Sequence, residues 1–162
     1  MEQELRIGNM LIDFYVKFSL LAEAQVLFSR LVTRDIISWT ALLGGYAHKG
    51  FTNDVFFIFG RMKEEGITPN AVTFVHVLYA CNHAGLVKKS QSYFEAITEE
   101  YGLTPEIDHY TCIISLLVRA GHTDKAVSMM RKMPIQPDLV MWQAVLGACS
   151  KRPTMELTDL LH

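Results

Sequence analysis

The chain has 162 residues, 50% hydrophobic and 20% charged, the balance of a folded globular chain that can bury a core. Fifteen Lys and Arg against 17 Asp and Glu leave a formal charge of −2, which excludes the overall basic excess by which many nucleic-acid-binding domains draw phosphate. The uncharged stretch from Ala71 to Val87 carries Thr73, His76, Asn82 and His83 and is interrupted by Gly85, so it excludes a membrane-spanning helix, and the chain reads as soluble.

In chain order, four stretches repeat one another and a fifth begins: 5–35, 36–70, 71–106, 107–138 and 139–162, with lengths of 31, 35, 36, 32 and 24 residues. The repeat is clearest between Ser38–Gly44 and Met141–Gly147, whose tryptophans Trp39 and Trp142 stand 103 residues apart, the span of three units. These boundaries align Leu11, Leu42, Val77, Ile113 and Val145 in one column, Phe28, Phe59, Phe94 and Met130 in another, and Leu31, Met62, Ile97 and Met133 in a third. Ala24, Val55, Ser90 and Ala126 form a column of small or slender side chains, and Pro69, Pro105 and Pro137 each stand one residue before a unit's end. Self-similarity at this period is the mark of a repeat architecture.

Each unit reads as two helices. The first unit turns between them at Ser19, where Gly50, Gly85 and Gly121 stand in the next three. In the second unit Trp39, Leu42, Leu43 and Tyr46 fall at i, i+3, i+4 and i+7, one apolar stripe on a helix that ends near Gly50. Asp54, Val55, Ile58, Phe59 and Met62 continue the helical period to Glu64–Gly66, and Thr68, Pro69 and Asn70 turn the chain into the third unit. Ala84–Gly85 and Ala120–Gly121 are the inner turns of the third and fourth units. Helices this short bury their apolar faces only by stacking on neighbouring pairs, so the fold class is all-α, an α-solenoid of helix-turn-helix repeats. The last unit stops early and the first begins almost at Met1, so the chain reads as an excerpt of a longer array. Its open ends should expose apolar faces and favour self-association.

Cys81, Cys112 and Cys149 are an odd number without a CxxC spacing and read as buried thiols in a reducing compartment rather than metal ligands. The start, Met1–Arg6, is acidic and shows no targeting segment.

Four strings, Ile7–Tyr15 (IGNMLIDFY), Ile37–Tyr46 (ISWTALLGGY), Tyr79–Val87 (YACNHAGLV) and Trp142–Cys149 (WQAVLGAC), together with the unit lengths, resemble the pentatricopeptide repeat family. The resemblance is to the plant subclass in which short, standard and long repeats alternate, and Leu139 onward looks like the start of its E-type carboxyl-terminal extension. Tetratricopeptide repeats, which bind peptides, offer the alternative. That family places glycine directly after the first leucine, where this chain has Ile12, Leu43, Leu78, Ile114 and Leu146, and alanine where it has Leu31, Met62, Ile97 and Met133.

The resemblance implies sequence-specific binding of single-stranded RNA, one nucleotide per unit, read by the unit's fifth and last residues. The pairs are Asn9 with Asp35, Thr40 with Asn70, Val75 with Glu106, and Thr111 with Asp138. The family's correspondences give uracil for the first, adenine for the second and guanine for the fourth, while Val75 has no polar group to discriminate with. The expected preference is U-A-N-G, read 5′ to 3′. The ordinary alternative is that such residues cap helices and form turns.

By the same resemblance the second residues Arg6, Ile37, Val72, Asp108 and Val140 sandwich the bases. The charge on Asp108 sits poorly with that duty, and the aliphatic ones equally suit packing between repeats. Lys17, His48, His83, Arg119 and Lys151 share one position in all five units, a cationic column placed to contact phosphate or to complement helix C-termini.

The plant subclass often ends in a zinc-dependent deaminase with His-x-Glu and paired cysteines, and none of those motifs occurs in this chain. No glycine-rich phosphate loop is present either, so neither catalysis nor a cofactor is expected. The subclass implies a plant factor of mitochondrion or chloroplast that selects sites for C-to-U RNA editing, with other editing factors or a deaminase supplied in trans and no membrane partner.

Overall fold

The structure, a computed structural model, describes residues 2–151, with side chains through residue 148. Within it the chain forms nine helices and no strand: α1 (Glu2–Lys17), α2 (Leu21–Arg30), α3 (Ile36–His48), α4 (Thr52–Glu64), α5 (Ala71–Ala84), α6 (Val87–Glu99), α7 (Ile107–Arg119), α8 (Thr123–Lys132) and α9 (Leu139–Lys151). Residues 152–162 of the segment assigned to the E-type extension, and the side chains of Cys149 and Lys151, lie outside the described residues.

The odd-numbered helices pack successively, α1 on α3, α3 on α5, α5 on α7 and α7 on α9. Each even-numbered helix covers its own partner and the first helix of the next unit. The result is an α-solenoid with an inner row of odd helices and an outer row of even ones. No described helix is long and apolar enough to cross a membrane.

The turn inside each unit is a local consequence of sequence. The residues after the first helices, Ser19, Gly50, Gly85 and Gly121, all have positive φ, at 62°, 79°, 72° and 85°. That left-handed residue lets the next N–H reach back five residues, in Leu20 to Tyr15, Phe51 to Tyr46, Leu86 to Cys81 and His122 to Leu117, at 2.8–3.0 Å. Orphan carbonyls at the helix end are thereby satisfied as the chain reverses. Gly50 is constrained twice, because a Cβ there would also lie 2.7 Å from the His83 ring. Ser19 is the one non-glycine residue with positive φ among those described.

Between units the lock is aromatic. Phe28 meets Trp39 edge-on with ring centroids 4.7 Å apart, Phe59 meets Phe74 at 5.8 Å, and Phe94 meets Tyr110 at 5.1 Å. In each case a ring from the second helix of one unit packs on the fourth residue of the next, at geometries worth roughly 0.5–1.5 kcal/mol beyond the area they bury. Met130 and Trp142 occupy the equivalent places at the last interface and share its core. One cluster runs from Ile12 to Cys112 and a second from Ile113 to Val145, and Phe94 packs against both. Cys81 and Cys112 are buried free thiols, and burial pushes them up to about 12 and about 11, where they stay protonated and unreactive.

The inner row packs closely on both sides of α3, since a Cβ at Gly44 would approach the His76 imidazole of α5 to 2.9 Å and one at Gly45 would approach Val16 of α1 to 2.9 Å. Burial, assisted by His48, lowers the His76 pKa from 6.5 to about 4, so the ring packs neutral.

Two outcomes follow. Left-handed backbone costs a non-glycine residue roughly 1–2 kcal/mol, and glycine gives back roughly 0.5–1 kcal/mol of that in chain entropy. Ser19→Gly should therefore raise the unfolding free energy by up to about 1 kcal/mol in a urea titration, and Ser19→Ala should not. For His76 the unfolded chain takes up a proton below pH 6.5 while the folded chain resists until about pH 4. Its contribution to stability is complete above the higher value and declines as pH falls through that interval. The thermal midpoint of the parent should drop more steeply across the interval than that of His76→Gln.

Candidate nucleic-acid interface

The last residue of each unit precedes the first helix of the next, where backbone N–H groups lack partners. Asp35 Oδ1 accepts the N–H of Ser38 at 3.0 Å, Asn70 Oδ1 that of Thr73 at 3.0 Å, and Asp138 Oδ1 that of Met141 at 2.9 Å. These are N-caps, typically worth about 1 kcal/mol. The capping role weighed against recognition is thus real at Asp35, Asn70 and Asp138. It also orients them, because a side chain tied to the start of one helix lies beside the first helix of the unit before.

In the first unit this brings the sequence-derived pair into direct contact. Asn9 on α1, 8% exposed, donates from Nδ2 to Asp35 Oδ1 at 3.0 Å. The buried Ser38 hydroxyl meets Asn9 Oδ1 and lies 2.9 Å from Asp35 Oδ1, so three side chains from two units form one network. Partial burial pushes the Asp35 carboxyl up, but hydrogen bonds from Ser38, Asn9 and the Ile37 N–H outweigh it and hold the pKa below 3.8. Asp35 therefore stays an acceptor at neutral pH. Asn9 and Asp35 open onto a groove of about 520 Å³ that Arg6 and Ile37, both second residues, also line.

The second pair is joined through an intermediary. Thr40, 9% exposed, holds its hydroxyl 3.4 Å from that of Thr73, which donates to Asn70 Oδ1 at 3.0 Å. The third pair is not joined in this way. Val75 is half-buried and Glu106 exposed, and the Glu106 N–H donates to His109 Nδ1 at 2.9 Å. His109 is fully buried, and its Nε2 lies 2.7 Å from the Ala71 carbonyl, so Nε2 carries the proton. In the fourth pair the Thr111 hydroxyl turns back to the Ile107 carbonyl at 2.8 Å, and no hydrogen bond among the described residues connects it to Asp138.

Of the second residues, Ile37, Val72 and Val140 are 60%, 53% and 64% exposed. Each thus keeps more than half of its surface in solvent and buries the rest. Arg6 and Asp108 are exposed as well. The cationic column ends the odd helices: Lys17, His48 and Arg119 close α1, α3 and α7, and His83 lies in the last turn of α5. Lys17 pairs with Asp13 at 2.9 Å, His48 packs 5.1 Å from the Tyr79 ring, and Arg119 reaches the carbonyl and side-chain oxygens of Asn82. Lys151 also belongs to this column, but its side chain lies outside the described residues. No group of three or more His, Cys, Asp or Glu among the described residues is arranged to hold a metal ion.

The residues that sequence reasoning missed are Ser38, Thr73 and His109, all third in their units. A polar residue at the third helical position after a capping residue is a capping-box signature, and that signal was available in the sequence.

Two family models match the chain. The pentatricopeptide repeat domain covers residues 29–83 and the PPR repeat covers 108–135, together more than half of the chain. A pentatricopeptide repeat-containing protein of Arabidopsis thaliana is 42% identical over 148 residues, matching 91% of this chain and 21% of its own length. A second from the same plant, named as mitochondrial, is 39% identical and matches 98% of this chain and 25% of its own length. A third, named as chloroplastic/mitochondrial, is 38% identical and matches 96% of this chain and 25% of its own length. The chain thus spans a fifth to a quarter of the length of these relatives. Among solved structures, the PPR domain of Arabidopsis thaliana protein-only RNase P 1 in complex with tRNA matches with a TM-score of 0.81 at 17% identity, over 97% of this chain and 84% of that one. The pentatricopeptide repeat protein PPR10 in complex with an 18-nucleotide psaJ RNA element matches with a TM-score of 0.75 at 19% identity, over 95% of this chain and 24% of that one.

Proposed function

Because the chain belongs to the pentatricopeptide repeat family, we propose that it binds single-stranded RNA with one nucleotide facing each pair of fifth and last residues. The observation that carries this reading is the groove in which Asn9 and Asp35, 26 residues apart in sequence, are hydrogen-bonded beside Arg6 and Ile37. Polar groups that read a base edge and a side chain that stacks on its face are the two things such a site requires. Ile37, Val72 and Val140 hold apolar surface in solvent, one residue per unit, and a base on each would cover it.

The order of the pairs gives the preference U-A-N-G from 5′ to 3′. Asn9 with Asp35 reads uracil, Thr40 with Asn70 adenine, and Thr111 with Asp138 guanine, while Val75 with Glu106 discriminates least. Lys17, His48, His83 and Arg119, with Lys151, supply the phosphate contacts, each at the end of an odd helix.

The chain acts on transcripts of mitochondrion or chloroplast, the compartments in the names of its relatives. Its role is target selection for C-to-U editing in the subclass of alternating short, standard and long repeats, and the deaminase is supplied by a partner or by another part of the protein. Binding alone falls to the described residues.

Measuring affinity for four RNAs that differ only at the second nucleotide tests the assignment. Thr40→Asn should lower the preference for adenine there by about fivefold, the worth of a single hydrogen bond of ~1 kcal/mol. An unchanged order of the four bases would dismiss the pair assignment, and equal binding of unrelated peptides would favour a protein-binding scaffold. Replacing Lys17 with Gln should weaken all four RNAs alike and reduce the dependence of log K on log salt by about 0.7, the single-strand value for one phosphate contact.

A further inference from the structure

We propose that the third residue of a unit, Ser38 and Thr73 foremost, is a positioning residue that sets which atoms of the preceding unit's fifth side chain face the base. The proposal rests on the base-reading role assigned above and adds a residue to each reading pair.

The case is clearest at Asn9. A carboxamide can present an oxygen or an N–H on either side, and the two orientations have the same shape. The Asp35 carboxylate only accepts, so it favours Nδ2 on its side, and the distance there is 3.0 Å. The Ser38 hydroxyl oxygen takes the Asp35 N–H at 3.3 Å, which leaves its one proton facing two acceptors, Asp35 Oδ1 at 2.9 Å and Asn9 Oδ1, the nearer of the two. Ser38 is fully buried and cannot turn to water instead. Together the two partners hold one orientation of the amide, with one Nδ2 proton committed to Asp35 and the second left over.

The chemical consequence is a choice between the two pyrimidines. Uracil, like thymine, carries an acceptor oxygen at C4 where cytosine carries an amino donor. A displayed N–H suits the first and opposes the second. Remove the Ser38 hydroxyl, and Asn9 Oδ1 loses the donor that ties it in place. The amide can then offer its oxygen to cytosine.

Thr73 holds the same place one unit later. Its hydroxyl donates to Asn70 Oδ1 at 3.0 Å, accepts the Asn70 N–H at 3.1 Å and lies 3.4 Å from Thr40 Oγ1. With its proton given to Asn70, Thr73 is an acceptor toward Thr40 and draws the Thr40 proton inward. The Thr40 lone pairs are then what is left to face a base. For the fourth pair the corresponding third residue is Met141 of the fifth unit, which has no hydroxyl, and Thr111 donates to its own helix instead. His109 likewise engages Ala71 rather than Val75. Reading is therefore preorganised in the first two pairs and not in the last two.

The test compares uracil with cytosine at the first nucleotide, using short single-stranded RNAs and the whole 162-residue chain. Ser38→Ala should reduce the uracil-to-cytosine affinity ratio by about fivefold, the worth of one hydrogen bond, and leave the second-nucleotide preference unchanged. Ser38→Thr, which keeps the hydroxyl, should restore the ratio. Thr73→Val, nearly isosteric, should move selectivity at the second nucleotide and not at the first. Each ratio is internal to one protein, so loss of folded material or general weakening leaves it unmoved. If Ser38→Ala weakens uracil and cytosine equally, Ser38 is only part of a cap and the proposal fails. Asn9→Thr separates the two levels. A changed first-nucleotide preference in that variant beside an unmoved ratio in Ser38→Ala rejects the positioning role alone, whereas no change in either rejects the base-reading role with it.

Discussion

Three of the four interfaces between successive units share one contact, the packing of an aromatic ring from a second helix on the fourth residue of the next unit. Phe28 on Trp39, Phe59 on Phe74 and Phe94 on Tyr110 fix where each following helix begins. The capping residue stands four positions before the clamped ring, and its carbonyl accepts that residue's N–H, at 3.2 Å from Asp35 to Trp39 and 3.2 Å from Asn70 to Phe74. Clamping the ring therefore places the cap. Burial of two aromatic side chains, worth several kcal/mol against truncation, positions a polar group whose own hydrogen bonds are worth far less.

That ordering of energies explains how one residue serves two purposes. Asp35 completes the start of α3 and also holds Asn9, and its depressed pKa reflects both sets of donors. A carboxylate bound only to Asn9 would have no reason to stay at one rotamer. Capping supplies that reason, because the Ser38 N–H cannot move without unwinding the helix. The structural and the recognition readings of the last residues are thus not rivals at this site.

Charge follows a similar logic. A chain with a formal charge of −2 still repeats a basic side chain, Lys17, His48 or Arg119, at the C-terminal end of odd helices, where the backbone dipole favours positive charge. Repetition of the fold turns a local preference into a row. Asp13 pairs with Lys17 inside that row, so the total charge does not describe how charge is arranged along it. His76 shows the opposite extreme, a basic side chain kept neutral because it is packed against Gly44 and shares its surroundings with His48.

Much of this molecule could be read from one dimension. Helix periods, inner turns and the apolar columns depend on spacing within a few residues, and positive φ at Ser19, Gly50, Gly85 and Gly121 was visible as a column of glycines with a single departure. The fifth and last residues were legible only through likeness to a family. Ser38 and Thr73 were legible as capping-box residues, but their contacts with Asn9 and Thr40, 29 and 33 residues away, were not, because no local pattern couples them. By itself the sequence determined the repeat, its helices and its turns, since these obey short-range sterics and hydrophobic period. Only the tertiary structure decided that Thr40 and Thr111, alike in type and in column, differ in state: one faces the Thr73 hydroxyl across a unit boundary, and the other, with Met141 at the matching place, bonds back to its own helix.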